Sequence, residues 1–106
     1  MLAAVLRQHG FHAWLAASGQ AAEELYRHQA AAIAAVLLDV RLGDRDGPET
    51  LAALRLVNPA VRSCFMTGEA GRYTEEALLS MGSPTVLKKP FPVDALLRVV
   101  EQLVAD

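Results

Sequence analysis

The sequence is poor in the residues that mark several common protein classes. Cys64 is the single cysteine of the chain, which excludes an internal disulfide, and its apolar neighbours indicate a buried, inert thiol. The formal net charge is −2, so the strongly basic face that nucleic-acid binding needs is lacking. No apolar run approaches the ~20 residues of a membrane helix. We therefore expect no membrane or nucleic-acid partner, and a cytoplasmic location.

Apolar residues, by contrast, are abundant. They make up 53% of the chain, which is enough to bury one core and argues against disorder. A length of 106 residues suits a single domain. We expect one domain over residues 1–106, with no output domain attached.

Segments with strand and helix periodicity alternate along the chain. The predicted strands are residues 11–16, 33–38, 61–66 and 85–87. The predicted helices begin near Leu2, Ser18, Pro48, Tyr73 and Val93. Strands that alternate with helices favour a parallel sheet covered on both faces. The sequence thus predicts an α/β fold with a four-stranded parallel sheet.

A polar residue ends each of three predicted strands: Asp39, Thr67 and Lys89. Ligands of open parallel sheets bind beyond the carboxyl ends of the strands, so these residues should meet at one edge. A carboxylate can act as a nucleophile, a hydroxyl can donate to a phosphoryl oxygen, and an ammonium can neutralise developing charge. Each residue alone has a plain structural explanation, but the joint pattern predicts a phosphoryl-transfer site in which Lys89 contacts Asp39.

Three segments around these residues resemble the response-regulator receiver domains of two-component signalling. The segments are Leu37-Leu38-Asp39-Val40-Arg41-Leu42 with Asp46-Gly47, Phe65-Met66-Thr67-Gly68, and Leu87-Lys88-Lys89-Pro90-Phe91. The resemblance covers nearly the whole chain and implies a flavodoxin-like receiver fold. It also implies a non-enzymatic phosphorelay role, in which a histidine kinase or a phosphotransfer protein supplies the phosphoryl group.

The resemblance further implies roles for single residues. Asp39 would be the phosphoacceptor, and Thr67 and Lys89 would contact the phosphoryl group. Asp39 and the backbone carbonyl of Arg41 would bind a magnesium ion. The Lys89–Pro90 peptide bond would be cis, a form that only X-Pro bonds adopt at low cost.

The chain departs from the receiver pattern at its start. Receivers open with a central strand that ends in two acidic residues, which help to hold magnesium. This sequence begins with the helix that would follow that strand, and Glu23, its first acidic residue, belongs to a flanking helix. Magnesium binding is therefore expected to be weak or absent. Compensation by the loop acids Asp44, Asp46 and Glu69 is the less favoured alternative, because Asp46 also suits a turn or a helix cap.

Without that strand, the predicted strand 11–16 loses its neighbour and strand 33–38 has an open edge, because the family's strand order is 2-1-3-4-5. Either strand 11–16 closes onto strand 33–38 within one chain, or two chains pair. We expect a homodimer, formed through the first helix or the open sheet edge. The face near Tyr73 and Arg98 is the second choice.

Functions of different classes remain open. The first is a phosphoacceptor receiver. The second is a phosphorylation-independent interaction or dimerisation module on the same scaffold. It is favoured by the missing acidic pair and by Val86, which stands where the family usually has an aromatic residue of the signalling switch. A nucleotide-binding enzyme is disfavoured, since the loop 68–71 has neither a Walker lysine nor a G-x-G-x-x-G pattern.

Overall fold

The computed structural model describes residues 2–41, 43–68 and 73–105. The helices are α1 (Leu2–Gln8), α2 (Gly19–Gln29), α3 (Gly47–Val57), α4 (Glu75–Ser80) and α5 (Val93–Val104), and a 3₁₀ turn covers Ala30–Ala32. The strands are β1 (Val36–Asp39), β2 (Ser63–Thr67) and β3 (Val86–Lys88). None of the helices within these ranges has the length and apolarity to cross a bilayer.

The helix ends follow local capping chemistry. The Ser18 hydroxyl accepts a hydrogen bond from a backbone N–H in the first turn of α2, as a serine N-cap does. Asp46 and Glu49 form a reciprocal capping box at the start of α3. Gly10 and Gly82 follow α1 and α4 with φ values of +88° and +100°, a backbone region in which glycine carries no steric penalty. The predicted helix ends at these glycines are confirmed.

The three strands form one parallel sheet in the order β1-β2-β3. The predicted parallel α/β arrangement is therefore confirmed. β1 begins at Val36 rather than at Ile33, because the chain is still turning there: the Ile33 N–H lies 3.1 Å from the Gln29 carbonyl and 3.3 Å from that of Ala30.

The predicted fourth strand at residues 11–16 is wrong. The Phe11 N–H turns back to the Leu6 carbonyl at 3.0 Å, and in the described parts of the chain no backbone hydrogen bond joins residues 12–16 to a strand. The apolar, aromatic composition suits a strand, but a strand exists only where a neighbour completes its hydrogen bonds. A cavity of about 570 Å³ is lined by both this segment and β1. The alternative in which strand 11–16 closes onto strand 33–38 within one chain therefore does not occur.

Helices cover both faces of the sheet, and the core has two halves. On one face Phe65 packs among residues of α2, α3 and α4, including Tyr26, Leu54 and Leu78. On the other face the neighbours of Phe65 in β2, Cys64 and Met66, pack with α1 and α5. This division follows from the alternation of side chains along a strand. Burial also raises the pKa of the Cys64 thiol, in keeping with an inert cysteine.

Two leucines of α3 provide a matched test of this core. Leu54 is 1% exposed and Leu56 is 89% exposed. We expect Leu54→Ala to lower the free energy of unfolding by about 2–5 kcal/mol, because it leaves a cavity beneath the sheet. Leu56→Ala should change it by less than about 0.5 kcal/mol. Urea unfolding measures both, and equal losses in the two variants would contradict the assigned faces of α3.

Candidate functional site

The carboxyl edge of the sheet gathers the three residues singled out in the sequence. Asp39 ends β1 and Thr67 ends β2, while Lys89 directly follows β3. The register aligns Asp39 with Met66, and the Lys89 N–H donates to the Thr67 carbonyl at 2.7 Å. Parallel pairing thus brings these three positions to the same edge of the sheet, as predicted.

The Asp39 carboxylate is held from two sides. One oxygen, Oδ2, contacts the Lys89 ammonium, and the other, Oδ1, accepts the Arg41 backbone N–H at 3.0 Å. The predicted contact between Lys89 and Asp39 is confirmed. Their side chains are 43% and 30% exposed, so water screens the pair and its net contribution to stability is about 0–1 kcal/mol. The Lys89–Pro90 bond is cis, as the resemblance implied.

The start of α3 packs directly against the end of β1. The Gly47 N–H donates to the Val40 carbonyl at 2.9 Å. A Cβ atom at Gly47 would lie 2.7 Å from the Asp39 carbonyl oxygen, a distance that side chains do not tolerate. Only glycine allows this approach. Gly47 was noted in the sequence as part of a motif, and the structure shows that its role is to seat the helix behind Asp39.

Two nearby acidic residues cap helices. The Asp44 carboxylate accepts the backbone N–H groups of Gly19 at 2.8 Å and Gln20 at 2.9 Å, across a separation of 25 and 24 residues. The hydrogen bond from Gln20, followed by that from Gly19, lowers the pKa of Asp44 to about 2. Asp46 is the N-cap of α3 and accepts the Tyr73 hydroxyl at 2.6 Å. Asp44 and Asp46 are therefore engaged with helix starts.

These contacts of Asp44 and Tyr73 were missed by sequence reasoning. Asp44 bonds to a helix start 25 residues away, and a loop aspartate carries no signal of so distant a partner. Tyr73 was assigned to a helix, but α4 begins at Glu75, with the Thr74 side chain as its cap. Because Tyr73 lies before the helix, its hydroxyl can reach the Asp46 carboxylate. Together the two contacts tie the loop after Asp39 to elements on both sides.

The described residues do not fit a magnesium cage. They contain no group of three or more histidine, cysteine, aspartate or glutamate residues that could hold a metal ion. Asp39 is already paired with Lys89, and Asp44 and Asp46 are engaged as caps. Magnesium requires near-octahedral oxygen ligation, which one paired carboxylate and a backbone carbonyl do not supply. The metal-binding role of Arg41 stays a prediction, and Glu69 lies outside the described residues.

Comparison with known proteins gives consistent matches. The sequence pattern of the family described as response regulator receiver domain matches residues 1–101. The transcriptional regulatory protein ZraR of Escherichia coli strain K12 is 35% identical over 105 residues, which is 99% of this chain and 23% of that protein. The chain thus spans about a quarter of the length of this curated relative.

Solved structures agree with the fold. A response regulator receiver domain protein from Clostridium thermocellum has a TM-score of 0.90 at 16% identity, over 97% of this chain and 82% of that one. The receiver domain of the sensor histidine kinase PA1611 from Pseudomonas aeruginosa has a TM-score of 0.85 at 27% identity, over 99% and 86%. The latter structure has a magnesium ion coordinated in its active site cleft.

The Asp44 cap predicts a specific pH dependence. The folded-state pKa is lowered from 3.8 to about 2, so the stabilisation is complete above pH 4 and is lost as the pH falls towards 2. We expect Asp44→Asn to lower the melting temperature at pH 7, and the difference from wild type to shrink as the pH falls from 4 to 2.5. Thermal unfolding followed by circular dichroism measures it.

The matched control is Glu24→Gln, which removes one carboxylate from the exposed surface of α2. It should leave the melting temperature at pH 7 nearly unchanged. A difference between Asp44→Asn and wild type that stays constant from pH 7 to pH 2.5 would contradict the assigned cap.

Proposed function

Because the chain belongs to the response regulator receiver domain family, we propose that it accepts a phosphoryl group on Asp39 from a histidine kinase or a phosphotransfer protein. The observation that carries the proposal is the contact of the Lys89 ammonium with the Asp39 carboxylate, beside the end of β2. We also propose that the chain is a phosphoacceptor and not an enzyme with its own substrate. We further propose that it acts in the cytoplasm and makes no direct contact with nucleic acid.

The transfer would be a displacement at phosphorus. An Asp39 carboxylate oxygen attacks the phosphorus of a phosphohistidine, the new P–O bond forms as the P–N bond breaks, and the donor imidazole takes up a proton. The side chain of Asp39 is 30% exposed, which gives a donor protein access to it. Lys89 then moves from the carboxylate to a phosphoryl oxygen and neutralises its charge, and Thr67 donates its hydroxyl to another.

We propose that magnesium binds weakly here. The support is the absence, among the described residues, of a cluster that could hold a metal ion, together with the capping roles of Asp44 and Asp46. Phosphoryl transfer would be correspondingly slow.

A second candidate function is a phosphorylation-independent interaction or dimerisation module. One support is the edge of β1 opposite β2, which pairs with no strand in the described ranges. The other is Val86, which is 9% exposed and stands where the family usually has the aromatic residue of its signalling switch. Uncovered strand edges invite association. We propose a homodimer with its contacts on α1, the helix beside this edge.

Phosphorylation can be tested with a radiolabelled histidine phosphotransfer protein as donor. We expect Asp39→Asn to take up no label. Lys89→Ala should slow uptake by about 10²–10³-fold, because it removes the charge nearest to the acceptor. The matched control is Lys88→Ala, since Lys88 is the neighbouring lysine but pairs with Glu75 at 2.8 Å. Its rate should match that of wild type.

Equal labelling of wild type and Asp39→Asn would contradict the proposed phosphoacceptor role of Asp39.

Isothermal calorimetry with magnesium chloride tests the proposed weak magnesium binding separately. We expect no saturable heat below about 1 mM magnesium. A tight isotherm that Asp39→Asn abolishes would show that the loop acids serve as ligands after all.

The dimer can be tested by sedimentation equilibrium at micromolar concentration. We expect a dimer for the wild type, and a monomer for Val5→Lys, which places a charge on a partly buried residue of α1. Leu56→Lys, on the exposed surface of α3, is the control and should stay dimeric. A wild type that sediments as a folded monomer would refute the proposed homodimer.

A further inference from the structure

The first turn of α3 sets the position of the backbone around Asp39. The Gly47 N–H donates to the Val40 carbonyl at 2.9 Å, and a Cβ atom at Gly47 would lie 2.7 Å from the Asp39 carbonyl oxygen. Two residues after Asp39, the Arg41 N–H donates to the Asp39 carboxylate at 3.0 Å. A movement of the first turn of α3 would therefore move the backbone that carries and orients this carboxylate.

Asp46, directly before Gly47, holds this helix start through both of its carboxylate oxygens. One oxygen, Oδ1, accepts the Glu49 N–H at 2.8 Å, which is the cap within α3 itself. The other, Oδ2, accepts the Tyr73 hydroxyl at 2.6 Å, across a separation of 27 residues. A hydroxyl that donates to a carboxylate at this distance makes a charge-assisted hydrogen bond, which is roughly twice as strong as a neutral one. The second bond thus attaches the start of α3 to a part of the fold outside that helix.

Tyr73 is itself held in place by the core. Its ring is partly buried and packs against the core cluster that includes Leu54 and Leu78. It directly precedes Thr74, whose side chain caps α4. The hydrogen bond from Tyr73 to Asp46 therefore joins the starts of α3 and α4, the helices that follow β1 and β2.

We propose that Tyr73 is a positioning residue for phosphoryl transfer to Asp39. Its hydroxyl acts through Asp46 and Gly47 to hold the backbone of the acceptor. The role rests on the proposed function of Asp39 as phosphoacceptor. An attacking oxygen has to lie about 3–3.5 Å from phosphorus and in line with the leaving group, and a misplacement of about 1 Å costs about a hundredfold in rate. Lys89 supplies charge at the carboxylate, whereas the start of α3 fixes the backbone that bears it.

The second tyrosine of the chain offers a matched control. The chain has two tyrosines, and the hydroxyl of each is hydrogen-bonded to one end of α3. The Tyr26 hydroxyl accepts the Asn58 side-chain amide at 3.0 Å, and Asn58 is the C-cap of α3, at the end away from Asp39. Tyr26→Phe and Tyr73→Phe thus each remove one hydroxyl and one hydrogen bond of the same helix.

The test measures uptake of label from a radiolabelled histidine phosphotransfer protein over a range of donor concentrations. We expect Tyr73→Phe to lower the maximal rate about tenfold, because the acceptor is held less firmly. The donor concentration that gives half of the maximal rate should stay the same, because the Tyr73 hydroxyl is bonded to Asp46 and not to a donor. Tyr26→Phe should keep the rate of wild type.

A second variant removes the same hydrogen bond from its other end. Asp46→Ser keeps a hydroxyl that can cap α3 but lacks the second oxygen that accepts from Tyr73. It should slow uptake about as much as Tyr73→Phe does. The double variant should be no slower than either single variant, because both changes delete one and the same interaction.

Amide hydrogen exchange tests the attachment without phosphoryl transfer. We expect Tyr73→Phe to speed the exchange of the Gly47 amide about tenfold, because the start of α3 opens more often. Tyr26→Phe should leave that exchange unchanged. If the wild type takes up no label, the proposed role of Asp39 fails, and the exchange of the Gly47 amide still decides whether Tyr73 holds the helix start.

Four outcomes would overturn the positioning role of Tyr73. They are uptake by Tyr73→Phe at the rate of wild type, equal slowing in Tyr26→Phe, additive losses in the double variant, and an unchanged exchange of the Gly47 amide. A rise in the donor concentration needed for half of the maximal rate, with the maximal rate unchanged, would also contradict it, since that result would assign Tyr73 to donor binding.

Discussion

Parallel hydrogen bonding between three short strands is the constraint on which the site depends. Each strand ends at the same edge because the register aligns Asp39 with Met66 and Thr67 with Lys88. A shift of one residue in either pair would turn every side chain of that strand to the opposite face. The burial of Cys64, Phe65 and Met66 between two layers of helices opposes such a shift. Packing of the core thereby holds the reactive residues in place.

The loop after Asp39 is ordered by helix chemistry. Asp44 caps α2, and Asp46 caps α3 while accepting the Tyr73 hydroxyl. Gly47 lets α3 begin against the backbone of Asp39. In many phosphoryl-transfer sites a metal ion organises such a loop through carboxylates. In the described part of this loop, Asp44 and Asp46 are engaged with backbone N–H groups instead, which stabilises the loop.

Local sequence determined much of this protein by itself. Apolar periodicity predicted the helices and three of the strands, Ser18 and the glycines at 10 and 82 marked helix ends, and three strand-ending polar residues predicted the shared edge. These features depend on neighbours in the chain. Tertiary structure alone decided the rest. The segment 11–16 has strand-like composition but no strand beside it, and Asp44 bonds to N–H groups about 25 residues away. Pairing and capping over such distances depend on which elements meet in space, and no local pattern records that.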